Sequence, residues 1–230
     1  MVASVDQMPG PSSNWWPRIG WILMFLGALV AAGNAFVFTA ITDFSADYGG
    51  TSDVGFMGQK ARMFAVPVIG YAHTLGGMFA SLIGPFQFVG FIRQRYRRLH
   101  VWLGRIYLVC VMLSAIAGLY LSPDSEARNT LGVAFIALAL AWIYTGTQAY
   151  VTIRRRDFRA HRRWMIRNFA LTYAAVTLRF QMPALIVAGV APITALNIVG
   201  WTCWVPSLII VEAWMRGRRE KYWGAASYPA

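Results

Sequence analysis

Three histidines, one arginine inside an apolar run and two glutamines have the types and spacing to do chemistry in this 230-residue chain: His73, His100, His161, Arg179, Gln87 and Gln148. Imidazoles ligate haem iron and other transition metals, and His100 and His161 recur in matching contexts, so one reading is a symmetric pair of metal or haem ligands. The plainer reading is two interfacial histidines among arginines, meeting lipid headgroups or capping helix ends. His73 falls well inside an apolar run. There it can act as a haem or metal ligand, a quinone hydrogen-bond partner or a proton carrier, or it can join two helices as a structural residue. Arg179 is more informative still, because a guanidinium keeps its proton and its burial requires a partner or water. No acidic residue falls at similar depth, so Arg179 either awaits an anion such as a haem propionate, a semiquinone or a small carboxylate, or reaches a loop aspartate or the headgroups. Gln87 and Gln148 can hydrogen-bond a cofactor, or each other across helices.

The elements that must position these residues follow from hydropathy. The chain is 57% hydrophobic and 13% charged, with a mean hydropathy of +0.48, a composition that places most of it in lipid. A hydrocarbon core needs about 20 apolar residues per helical crossing, since an unpaired backbone amide in lipid costs several kcal/mol. Six runs meet that length, at about 19–41, 66–92, 101–121, 131–153, 164–189 and 193–215. The expected fold is therefore an all-α polytopic bundle of about six transmembrane helices, forming one domain over 1–230. Of the 21 Lys and Arg residues, seventeen fall on one side of these runs and three, Lys60, Arg62 and Arg128, on the other, with Arg179 inside the fifth run. Positive charge is retained in the cytoplasm, so both termini are expected there, in a bacterial inner membrane.

Helix 1 is read as a retained span rather than a secretory leader, because a single Arg18 precedes it and Gly33-Asn34-Ala35 imitates a cleavage site poorly. The connection 42–65 carries Asp43, Asp47 and Asp53 without the spacing of a calcium loop. Cys110 and Cys203 fall in mid-run and are read as packing thiols. The tryptophans near the basic side, among them Trp102, Trp164 and Trp214, fit an interfacial belt.

A shift of 61 residues superimposes the chain on itself. Gln87, Ile92, Arg93, Arg95, Arg98 and His100 reappear as Gln148, Ile153, Arg154, Arg156, Arg159 and His161. The small residues Gly76, Ala80 and Gly84 fall over Ala137, Ala141 and Thr145, and Gly104, Tyr107, Ser114 and Gly118 over Met165, Asn168, Ala175 and Arg179. Two hairpins are implied, helices 2 and 3 over about 66–121 and helices 4 and 5 over about 131–189, each with a small or polar face suited to close packing. Helices 1 and 6 flank them.

The segments Gly84-Pro85-Phe86-Gln87-Phe88, Leu99-His100, Gly104-Arg105-Ile106-Tyr107, His161 to Arg167 and Thr177-Leu178-Arg179 together resemble a family of predicted multi-pass bacterial membrane proteins of unknown function. The resemblance covers about Tyr71 to Pro183 and implies a fold without an activity. At the level of fold alone the pattern is also similar to small membrane b-type cytochromes, although three histidines are too few for their usual two haems.

No phosphate-binding glycine loop, paired-cysteine metal site or nucleophile elbow occurs, and the basic residues lie in short blocks flanking apolar runs rather than on a nucleic-acid-binding face. Three functions remain. The first is a membrane redox component binding haem b or meeting quinone, with His73 and Arg179 at an outer site and His100 and His161 at an inner one. The second is an accessory subunit of a larger membrane complex, whose partners are lipids and other subunits. The third is a small-molecule or anion transporter.

Overall fold

The computed structural model describes residues 16–37, 39, 65–122 and 130–217. Asp43, Asp47, Asp53, Lys60, Arg62, Arg128, Arg218, Arg219 and Lys221 lie outside them. The described chain is helical throughout: α1 Trp16–Phe36, α2 Pro67–Ile83, a 3-10 turn Gly84–Phe88, α3 Gly90–Arg95, α4 Arg97–Leu121, α5 Leu131–Arg154, α6 Phe158–Thr172, α7 Ala174–Val187, α8 Pro192–Thr202 and α9 Val205–Gly217. Five stretches among the described residues are long and apolar enough to cross a membrane, α1, α4, α5, α6 with α7, and α8 with α9.

The second of the six expected runs differs from a simple span. Its α-helical part is the 17-residue α2, after which the chain tightens into the 3-10 turn and resumes as α3. Pro85 is the cause: it has no amide hydrogen to donate and its ring crowds the carbonyl one turn back. The break is covered by α1, where Trp21 Nε1 donates to the Pro85 carbonyl at 3.0 Å and Phe25 meets Phe86 edge-on. Pro206 at the second position of α9 breaks the last run in the same way, since it cannot donate to Thr202.

α2 packs along α4 and α5 along α6, and the two hairpins meet where α4 lies on α5. α1 rests on α2 and α7, while α9 rests on α6. Close approach depends on missing side chains. A Cβ at Gly76 would stand 3.0 Å from the Cys110 carbonyl, and one at Gly84 would stand 2.2 Å from the Phe169 ring. Tyr107, Val111, Leu131, Leu171 and Val199 are fully buried in the centre, whereas Leu23, Val30, Val109, Ile116 and Val187 point outward, the inversion expected when lipid rather than water is the solvent. Cys110 and Cys203 are unpaired thiols, and Cys203 is buried in the packing.

One end of the bundle is rich in arginine. Arg93, Arg95, Arg97, Arg98 and Arg105 surround the start of α4, and Arg154, Arg155, Arg156, Arg159 and Arg162 the turn between α5 and α6. That turn is tight, with Arg156 at φ 59°, and Asp157 closes it by capping α6, its Oδ1 accepting from the Ala160 amide at 2.9 Å. Nearby, Arg167 grips the Glu212 carboxylate with two parallel bonds, Nε to Oε1 and Nη2 to Oε2 at 3.0 Å, which ties α9 to α6. The Trp164 ring lies under the same guanidinium at 4.7 Å.

Candidate functional site

At the arginine-rich end the two histidines that the 61-residue shift superimposes are held differently. His161 Nδ1 lies 2.8 Å from the carbonyl of Ala149, twelve residues back on α5. A carbonyl only accepts, so Nδ1 carries the proton and Nε2 presents a lone pair. His100 opens α4, and its Nδ1 is buried without a hydrogen-bond partner. The residue 61 positions before Ala149 is Phe88, the end of the 3-10 turn, and His100 makes no matching bond to it. His100 and His161 are near enough to interact electrostatically, and Arg93 acts on His100 as well.

Gln87 projects from the 3-10 turn toward α4. A Cβ at Gly104 would stand 3.1 Å from Gln87 Oε1, so the bare glycine is what admits the amide. Gln87 is 7% exposed and its Nε2 has no partner. Gly104 lies one turn after His100 on the same face of α4, so Gln87 and His100, each with a buried nitrogen that has no partner, both belong to the first turns of that helix. An orphaned buried donor costs about 1–3 kcal/mol, which makes such a pair an unusual feature to leave in a packed bundle. Gln148 is only partly buried, and its carbonyl accepts from Thr152 Oγ1 at 2.6 Å.

His73 lies apart from this group. It clasps α4 at Ser114, fourteen residues or about 21 Å along the helix from His100. Its Nδ1 donates to the Ser114 carbonyl at 3.0 Å and its own carbonyl accepts from Ser114 Oγ at 2.7 Å. Gly118 leaves room for the ring, since a Cβ there would stand 3.0 Å from Cε1 and Nδ1. Arg179 acts electrostatically on His73, and it donates through Nε to Asn34 Oδ1 at 3.0 Å and through Nη1 to the Ala175 carbonyl at 2.7 Å. The Asn34 bond joins α7 to α1; Asn34 is the one amide side chain in the apolar run 19–41, a polar residue whose pairing with Arg179 the sequence does not specify. Among the described residues no three His, Cys, Asp or Glu side chains form a metal-binding group.

Between the two ends lies a polar cluster that pattern reading registered only as a small or polar face. Tyr107 Oη donates to Asn168 Oδ1 at 2.7 Å and lies 2.8 Å from Thr172 Oγ1. Trp142 Nε1 donates to Thr172 Oγ1 at 2.9 Å, and Asn168 Nδ2 donates to the Trp142 carbonyl at 3.0 Å and to Thr145 Oγ1 at 2.9 Å. Tyr107 and Asn168 are fully buried. They are also the pair that the 61-residue shift superimposes, so that shift was the available signal.

Comparison with curated proteins finds no match, and comparison with solved structures finds none. A family model, described as predicted membrane protein (DUF2306), matches residues 70–215, from the start of α2 into α9. With well over half its length inside that match, the chain belongs to this family of predicted membrane proteins.

Proposed function

We propose that the protein is a membrane redox component that engages a quinone headgroup at its arginine-rich end. The observation that carries this reading is a pair of buried nitrogens without partners, Gln87 Nε2 and His100 Nδ1, on side chains that meet α4 one turn apart, at Gly104 and at His100 itself. A carbonyl oxygen held between them would complete both, and a quinone ring supplies such an oxygen on an apolar body at home in lipid. When bound, a quinone supplies two-electron, two-proton redox chemistry. Gln87 orients the ligand by a hydrogen bond that needs no change of charge. His100 moves a proton at Nδ1, and His161, fixed by Ala149, offers the Nε2 lone pair as an acceptor beside it. Positive charge around the site favours a cytoplasmic location for this end, in a bacterial inner membrane with both termini on that side.

Haem b is a second reading, favoured by one specific observation. Both His73 and His161 donate Nδ1–H to a backbone carbonyl, a contact of the kind that fixes a ligating imidazole with Nε2 toward a metal. One preparation tests both. Detergent-purified protein is titrated with a short-chain quinone while its tryptophan fluorescence is followed, and a reduced-minus-oxidised absorption spectrum is recorded beside it. Saturable quenching that disappears in Gln87→Leu and His100→Ala supports the quinone site. Sharp reduced bands lost in His161→Ala support haem. A colourless protein with no saturable quenching discards both, and moves the accessory-subunit and transport functions forward.

A further inference from the structure

The Tyr107 cluster has no part in the proposed headgroup site, yet it lies on the same face of α4. His100, Tyr107 and Ser114 recur at seven-residue intervals, two turns or about 10.5 Å apart, with Gly104 and Gly118 beside them on that face. A polar group from a neighbouring helix meets α4 at each level: Gln87 at Gly104, Asn168 and Thr172 at Tyr107, and His73 at Ser114. Polar side chains therefore mark the bundle interior over about 21 Å, most of a hydrocarbon thickness of about 30 Å.

The central cluster also has a property that simple interhelical glue does not need. Its heavy atoms accommodate two arrangements of hydroxyl hydrogens. In one, Tyr107 donates to Asn168 Oδ1 and Thr172 donates to Tyr107. In the other, Tyr107 donates to Thr172, and Thr172 donates to the backbone carbonyl of Asn168, 3.0 Å away, while Asn168 Oδ1 gives up its bond from Tyr107. Switching between them reverses the hydrogen-bond direction without moving a helix, which is the turning step of a hydroxyl relay. Trp142 Nε1 and Asn168 Nδ2 only donate, so they hold the frame while the two hydroxyls exchange.

We propose that Tyr107 and Thr172 form the central relay of a proton path through the interior of the bundle, from Gln87 and His100 at the arginine-rich end to Ser114 and His73 at the other, with water spanning the intervals. For each proton accepted at one end one is released at the other; each hydroxyl gains a proton on its oxygen, gives up its own and rotates back, and no electron moves. The inference goes beyond the quinone reading and does not depend on it, because proton flux is measured with no quinone present.

The test uses the full chain in liposomes containing a pH-sensitive dye, with a potassium gradient and valinomycin supplying the driving potential. Wild-type vesicles are expected to change internal pH faster than protein-free vesicles. Tyr107→Phe and Thr172→Val should return the rate to the protein-free level, while Thr172→Ser, which keeps the hydroxyl, restores it. Trp142→Phe separates relay from frame: it removes a donor without interrupting the hydroxyls, and should lower thermal stability while leaving flux. If Tyr107→Phe does not fold, the Thr172→Val and Thr172→Ser pair decides the matter. Wild-type flux equal to that of empty vesicles, or Thr172→Val conducting like wild type, overturns the proposal.

Discussion

His100 and His161 are superimposed by the 61-residue shift of the sequence, yet the Nδ1 of one is bonded and that of the other is not. His161 is bonded to Ala149 because α5 runs as an unbroken helix to Arg154, which brings that carbonyl to the ring. His100 lacks such a bond because the helix before it is interrupted at Pro85 and ends in a 3-10 turn. The same interruption turns Gln87 over Gly104, where the amide is buried without a partner. One proline thus separates a hairpin whose histidine is bonded from one in which Gln87 Nε2 and His100 Nδ1 have no partner.

Several substitutions break or sharpen this comparison, and the largest effect is expected where the two hairpins meet. Asn168→Leu removes the acceptor of Tyr107 and the donor to the Trp142 carbonyl and Thr145 at once, and is expected to destabilise by about 2–4 kcal/mol. Unfolding by denaturing detergent in mixed micelles would measure it, and a loss below that for an exposed leucine such as Leu23→Ala would discard the seam as a stabilising element. Gly84→Ala follows, at about 1–3 kcal/mol, because its Cβ meets the Phe169 ring and neither hairpin can retreat freely. The histidines themselves should then separate. His161→Ala removes one donor from the Ala149 carbonyl, which still accepts from Thr152 Oγ1, and costs about 1 kcal/mol, whereas His100→Ala breaks no bond at Nδ1 and stays within about 0.5 kcal/mol of wild type in stability. Equal stability losses for the two would show that the contrast between them has no energetic content. The smallest effect is expected from Trp21→Phe, which keeps the ring and removes the donor to the Pro85 carbonyl, at about 0.5–1.5 kcal/mol by the same unfolding assay.

Parts of this were legible in residue order. Apolar runs located α1, α4 and α5 closely, and the family resemblance over Tyr71 to Pro183 agrees with a match that continues to residue 215. Gly84-Pro85 was read as part of a motif inside one long run, but the consequence of Pro85 for the helix was not drawn from it. Arg179 stands out in residue order as a cation inside an apolar run. Its partner Asn34, 145 positions earlier, was beyond reach, because that contact exists only once α1 has packed against α7. The Tyr107–Asn168 bond sits between these cases, with its two members aligned by a 61-residue shift of the sequence and their meeting decided by how α4 lies against α6.

What the sequence determined by itself is the solvent and the architecture: apolar runs of membrane length force helices because no backbone amide can go unpaired in lipid, and clustered arginines mark one end. Only the tertiary structure decided which polar groups found partners. Hydrogen-bond satisfaction depends on distances of about 3 Å between residues tens of positions apart, and these are fixed by the helix break at Pro85 and the glycine-mediated approach of α2, α4 and α6.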